Sequence, residues 1–365
     1  MLALNYLRYS PDLEVIQPNE EALTAEIVES MARVNVKIFD RHRHAVRDAH
    51  SKSHGILKGT LTVYPDLPAE LSQGVFQPGA EYPVIVRLST APGDIQNDHN
   101  PSPRGFAIKM LGVPGLKLAP GQENEVTQDW LLVNYPAIPF GNVASYWKFQ
   151  QGQEKSVNAA MTMGPEIEKA VGIVGELLHE LKINIKLLDL IAKENYNILG
   201  ETFYSMAAVR YGDYVAKVCV APLSDNVKAL TGGAVAYNGD GSELRDIVVN
   251  FFRENSADYE FRVQLNTDLA KMPIEDASVE WPETLSPYVG VAKLHLPAQE
   301  AYSPARRVFA DDVLSFNPWH CIAEHQPLGN IMRIRKAAYA SSSGYRHATN
   351  MVAAREPRGI GELPD

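Results

Sequence analysis

Residues 81–90, EYPVIVRLST, read as a β-strand: Val84, Ile85 and Val86 are β-branched, and a proline and a glycine follow within three residues. Arg87 and Ser89 stand two apart, so their side chains leave the strand on one face. Similar short apolar runs, broken by proline and glycine, lie on either side. They are GILKGTLTVYPDL (55–67), RGFAIKMLGV (104–113) and TQDWLLVNYPAIPF (127–140). Strand texture returns in TFYSMAAVRYGDYVAKVCVAP (202–222), YEFRVQLNTD (259–268) and YVGVAKLHLP (288–297). Helical spacing frames these runs. It is seen in EEALTAEIVESMARVNVKIFDRH within 20–50, in an amphipathic stretch over about 150–200, and in a final helix over about 329–341. Strands, a helical interruption, strands again and helices at both ends predict one α+β domain on an antiparallel sheet. Closure of such a sheet into a barrel would remove its exposed edges.

Bulk composition narrows the function classes. The chain has 365 residues, 45% hydrophobic and 21% charged, as expected of a globular protein able to bury a sizeable core. Its net charge of -10 argues against a general nucleic-acid or anionic-membrane surface, so any bound anion must be met by locally placed cations. Two distant cysteines, Cys219 and Cys321, exclude a disulfide framework and point to a reducing compartment, the cytoplasm. Arg8 and Asp12 interrupt the apolar N-terminus before a signal-peptide core forms, and no run of 18 apolar residues gives an integral membrane segment.

Against that acidic background, IMRIRKAAYASSSGYRHA (331–348) gathers Arg333, Arg335, Lys336 and Arg346 around two tyrosines. On a helix, Arg335 and Tyr339 share a face. A phenol with a pKa near 10 is a poor metal ligand at neutral pH. A guanidinium at roughly 4 Å and an effective dielectric of about 20 contributes about 4 kcal/mol towards the phenolate. With the charge of a ferric ion, that suffices to hold a tyrosinate. An exposed Arg-x-x-x-Tyr pair on a solvated helix end is the plain alternative on those five residues alone.

Other stretches shift the balance. RDAHSK carries Arg47 and His50, PVIVRLST carries Arg87 and Ser89, SPRGFAIK follows, and LLVNYPAIPF carries Asn134. In this order, with WPETLSPYVGVAKLHLP, VLSFNPWH and RKAAY…YRHA, the chain from about 40 to 347 resembles the haem catalase family. The resemblance implies a catalase-like antiparallel β-barrel, eight-stranded, with N-terminal, inserted and C-terminal helices. It implies haem b as cofactor, with Tyr339 as axial ligand to the iron and Arg335 keeping that ligand ionised. His50 would be the distal proton shuttle, Asn134 the amide that orients the peroxide, and Ser89 the hydroxyl that fixes the tautomer of His50. Arg47, Arg87 and Arg346 would meet the haem propionates, a task suited to permanently charged bidentate donors.

The implied substrate is hydrogen peroxide or an organic or lipid hydroperoxide, handled by a hydroperoxidase. Alternatives are a fatty-acid hydroperoxide isomerase resembling allene oxide synthases, and a haem-binding protein without turnover. The sequence departs from the family pattern at Ala49, Leu88, the VNYPA stretch and Ala340–Ser342. Ala49 and Leu88 suggest room for a bulkier peroxide. A short N-terminal arm points to a homo-oligomer simpler than an interlocked tetramer, such as a dimer, and no C-terminal domain is expected. The remaining histidines read as ordinary: His42 and His44 solvated, His54 structural or at the surface, His320 and His325 packing the loop before the last helix.

Overall fold

The computed structural model describes residues 5–91, 93–163, 195–237 and 239–365. Nine strands follow one another as β1 (Lys52–Val63), β2 (Glu81–Thr90), β3 (Arg104–Leu111), β4 (Thr127–Val133), β5 (Phe203–Tyr204), β6 (Val209–Tyr211), β7 (Tyr214–Pro222), β8 (Ala257–Leu265) and β9 (Val289–Leu296). Every pairing is antiparallel, in the order β5-β4-β3-β2-β1-β9-β8-β7-β6. The two-residue β5 closes the sheet. It pairs with β4 at Val133↔Tyr204 and with β7 at Phe203↔Val220, giving an eight-stranded barrel, while β6 continues along the same edge of β7. The expected closure is present.

Alternation along β2 sorts its two faces. Val84, Val86 and Leu88 point into the barrel, joining Phe106, Ile108, Trp130, Val218, Phe261 and Val263 in one buried cluster. An interior of eight strands is filled by side chains rather than left as a pore. Here Phe76 does much of the filling, its ring centroid 4.9 Å from Phe261 and 5.9 Å from Trp130. Ile85 faces outwards and packs with Ile56, Phe309, Leu314 and Phe316. Arg87 and Ser89 share that outer face. The candidate site therefore lies on the barrel wall and not in its lumen.

Four longer helices surround the barrel: α1 (Glu20–His42), α2 (Val143–Met163), α3 (Glu243–Glu254) and α4 (Asn330–Asn350). The first, second and fourth pack together through Ile27, Val143, Ile331 and Ile334. Arg333 fastens α4 to α1, meeting Glu14 at 2.6 Å, Glu20 at 2.6 Å and Glu275 at 2.9 Å. α3 was not anticipated from sequence, although Leu244, Val248 and Phe252 recur every four residues and join the barrel's core cluster. α4 runs nine residues past its expected end. Its SSSG run is a poor helix former, but Ser342 and Arg346 find partners on Asp48 and on the 311–315 backbone, and those contacts carry the helix onward. α1 instead stops at His42, with Arg43 left-handed at φ 54°. Much of the amphipathic stretch expected over 150–200 lies outside the described residues.

One largely buried ion network binds the C-terminal tail to the barrel. Lys109 Nζ donates to Asp129 at 2.7 Å and to Glu356 at 2.5 Å, and Lys109 and Asp129 have no exposed side-chain surface. Asp129, His320 and Glu356 present ligand atoms within 4.8 Å of one another, but the Lys109 ammonium sits among them, so no metal is needed to balance the carboxylates. Burial would raise the Asp129 pKa, yet Lys109 and His320 hold it below its ordinary value. Removing one partner of a buried pair strands the others, at a cost of about 3–5 kcal/mol. Lys109→Ala is expected to lose that much stability in urea unfolding at neutral pH; a loss under about 1 kcal/mol would contradict the network's role.

Candidate active site on the barrel wall

His50 enters the site from a short segment that drops from the end of α1 onto β1. Its backbone is left-handed, φ 55°, an uncommon state for a residue other than glycine and one that clusters at functional positions. Arg87 secures this turn: NH1 donates to the His50 carbonyl at 2.8 Å and NH2 to the Ser51 carbonyl at 3.2 Å. Ser89 Oγ lies 3.2 Å from His50 Nδ1. The row Ser53↔Ser89↔Gly105↔Val133 crosses β1 to β4 at this level. Only glycine fits at 105, because a Cβ there would come within 2.5 Å of His50 Nδ1 and 2.7 Å of Ser89 Oγ. Burial, then Arg87 and Arg335, lower the His50 pKa to about 3, so its imidazole is neutral at physiological pH.

Asn134 adjoins this row. Its Oδ1 accepts from Arg104 N at 2.8 Å, and its Nδ2 donates to Glu201 Oε2 at 2.7 Å. The amide is thereby fixed in orientation by its neighbours. Glu201, which fixes it, had not been singled out from sequence.

Tyr339 is carried by α4, half-buried. Of the four cations near it, Arg333 is taken by three glutamates, Lys336 lies 4.7 Å over the Trp319 ring, and Arg346 is bound to backbone carbonyls. Arg335 makes no ion pair among the described residues; its side chain reaches only Met332 Sδ at 3.5 Å. Its charge acts on His50, Tyr146 and Tyr339 together, which places the two halves of the site within electrostatic range of each other. Burial raises the Tyr339 pKa, Arg335 lowers it, Asp48 raises it, and the balance is upward. Arg335 alone thus does not outweigh burial, and phenolate would need the further cation charge that the sequence expectation already included.

Three arginines from three elements converge on the segment Ala310–Ser315. Arg47 donates to Ala310 O at 2.5 Å, Leu314 O at 2.8 Å and Asp311 Oδ1 at 3.2 Å. Arg87 reaches Asp311 Oδ1 at 3.2 Å, and Arg346 donates to Asp311 O at 2.6 Å and Leu314 O at 2.9 Å. Burial lowers the Arg47 pKa well below normal, with Arg87 and Arg346 adding to the effect. Burial and Arg87 likewise bring Arg346 down to about 10. Three guanidiniums share Asp311, with Asp312 acting on Arg47 and both Asp312 and Asp48 acting on Arg346, and Arg87 Nε is buried without a hydrogen-bond partner among the described residues.

All eight residues singled out from sequence thus belong to one region. Those missed are Asp48, Tyr146, Glu201, Asp311 and Ser342. Ser342 Oγ donates to Asp48 at 2.8 Å, joining α4 to the segment before His50, and burial raises the Asp48 pKa. The RDAH spacing places Asp48 between two site residues, a signal that was available. Leu88, expected to shape the pocket, instead faces the barrel interior at 1% exposure, while Ala49 beside His50 is exposed. His44 is exposed, as expected, and lies 2.7 Å from Asp312, whereas His42 is half-buried 2.6 Å from Asp94. His54 sits at a bulge in β1, buried against Thr90 Oγ1 at 2.5 Å.

No protein-family model matches this sequence. Among solved structures, the chain is similar to a fungal catalase, with a TM-score of 0.64 and 18% identity over 95% of this chain and 65% of that one. A bacterial catalase gives 0.64 and 14% over 94% and 63%. Catalase A from Saccharomyces cerevisiae gives 0.56 and 16% over 95% and 70%. The fold is catalase-like, and the chain spans about two thirds of the length of these structures.

The His50 environment has a direct consequence for pH. Its folded-state pKa lies below the unfolded value of about 6.5, so folding excludes a proton. That contribution to stability is complete above about pH 6.5 and is lost as pH falls towards 3. Imidazole NMR is expected to show His50 unprotonated at pH 5, and a titration midpoint above 6 would contradict this environment.

Proposed function

We propose that the protein is a haem-dependent hydroperoxidase that cleaves the O–O bond of hydrogen peroxide or an organic hydroperoxide. The observation that carries this reading is His50, held by Arg87 and Ser89, together with the half-buried Tyr339 on α4, Arg335 acting on both. The donor set fits haem. His50, Tyr146, Arg335 and Tyr339 are all half-buried, so each keeps surface that a bound group could meet. The arginine cluster, in which Arg87 Nε is a buried donor without a partner among the described residues, offers guanidiniums of the kind that would meet the propionate carboxylates. Tyr339 would hold the iron.

Haem, when bound, supplies the redox chemistry of peroxide cleavage. The chain supplies the proton path. Ser89 engages His50 Nδ1 and leaves Nε2 to accept a proton from the hydroperoxide and return it to the departing oxygen. A pKa near 3 keeps that imidazole in its accepting form throughout the physiological range. Asn134, its amide fixed by Arg104 and Glu201, would orient the peroxide oxygens without rotating. A fatty-acid hydroperoxide isomerase is the second reading, favoured by the exposed Ala49, which leaves space beside His50.

Turnover of hydrogen peroxide, cumene hydroperoxide and a fatty-acid hydroperoxide by haem-loaded protein tests the reading. His50→Ala is expected to lower turnover by about 10²–10⁴-fold with haem content unchanged. No consumption of any peroxide by the wild type would contradict it, and reaction of the fatty-acid substrate alone, without reductant, would favour isomerisation. Arg47→Ala and Arg87→Ala are each expected to weaken haem binding by about 1.5–3 kcal/mol. Unchanged affinity in both would show that the cluster does not meet the propionates.

A further inference from the structure

A cavity of about 360 Å³ opens on the outer side of the arginine cluster, between the His44–Arg47 segment and the Pro304–Asp312 turn. Its volume lies within the range of roughly 300–1,000 Å³ in which proteins bind small molecules. Val46 and the strongly exposed pair Ile95 (43%) and Val308 (56%) give it an apolar wall and mouth. Adjacent arginines in the turn behave oppositely. Arg306 is buried and donates to Ile56 O, Pro364 O and Gln299, whereas Arg307 is exposed and its guanidinium has no partner among the described residues. The two carboxylates on the wall are already engaged, Asp311 by Arg47 and Arg87, and Asp312 by His44. Arg307 is therefore the surplus charge of the cavity, set beside exposed apolar surface.

We propose that this cavity binds an amphipathic monocarboxylate, its carboxylate on Arg307 and its hydrocarbon chain along Val46, Ile95 and Val308. A guanidinium offers the bidentate fork that a carboxylate fits, and burial of the two exposed apolar side chains supplies the driving force. The inner wall is formed by Arg47 and Ser51, which flank His50 in the chain. Resting on the function proposed above, the site assigns the substrate class as a carboxylate-bearing hydroperoxide. Binding itself does not require haem.

Calorimetric titration of the full chain with decanoate, before and after haem loading, tests the site. One saturable site per chain is expected, with Arg307→Gln weakening it at least tenfold and decanol binding at least tenfold more weakly than decanoate. Val308→Asp is expected to abolish it. Absence of saturable binding, equal affinity in Arg307→Gln, or unsaturating partition at many sites would overturn the proposal. Peroxide turnover is read separately: decanoate binding without turnover contradicts the hydroperoxidase reading and leaves the site, while turnover without binding overturns the site alone.

Discussion

The arrangement depends on three guanidiniums held around one carboxylate. Arg47 arrives from the segment after α1, Arg87 from the outer face of β2 and Arg346 from the last turns of α4, and all three converge on Asp311 and its backbone. Like charges at this separation repel, and burial disfavours each of them. The cluster persists because carbonyls of residues 310–315 accept from Arg47 and Arg346 and those of His50 and Ser51 accept from Arg87, while Arg87 Nε is buried without a hydrogen-bond partner among the described residues. The same contacts join barrel, N-terminal segment and C-terminal helix. The site is thus built where the three parts of the fold meet.

The barrel contributes rigidity more than chemistry. Its lumen is filled by side chains, and the candidate site lies on the outer wall, where alternation on β2 delivers Arg87 and Ser89 to one face. Gly105 on β3 removes the one side chain that would displace the His50–Ser89 pair. On the opposite bank, Arg333 ties α4 to Glu20 of α1, to Glu14 before that helix and to Glu275 between β8 and β9, and this fixes the rotation of the helix that carries Arg335 and Tyr339. Each half of the site is positioned by a framework that does not itself take part in it.

Much of this was legible in the sequence because it depends on local periodicity. The two-residue alternation of PVIVRLST and the four-residue spacing of RKAAY fix which side chains share a face, whatever the tertiary context. What could not be read were contacts made across the chain. Asp311 takes its role from arginines 224 and 264 positions away, and Glu201 from an amide 67 positions away. Leu88 was misplaced because its neighbours in sequence line the site while its own side chain turns into the barrel. The length of α4 was underestimated because tertiary partners of Ser342 and Arg346 outweigh the weak propensity of SSSG.

Tyr339 is the point at which burial and the charge of Arg335 oppose each other. Burial holds the phenol protonated despite Arg335, so ionisation must come from a cation bound at its oxygen. Resonance Raman spectroscopy of the haem-loaded ferric protein addresses this directly. The account predicts an iron–tyrosinate signature in the wild type that is absent from Tyr339→Phe at equal haem content. Identical spectra from the two proteins would contradict it.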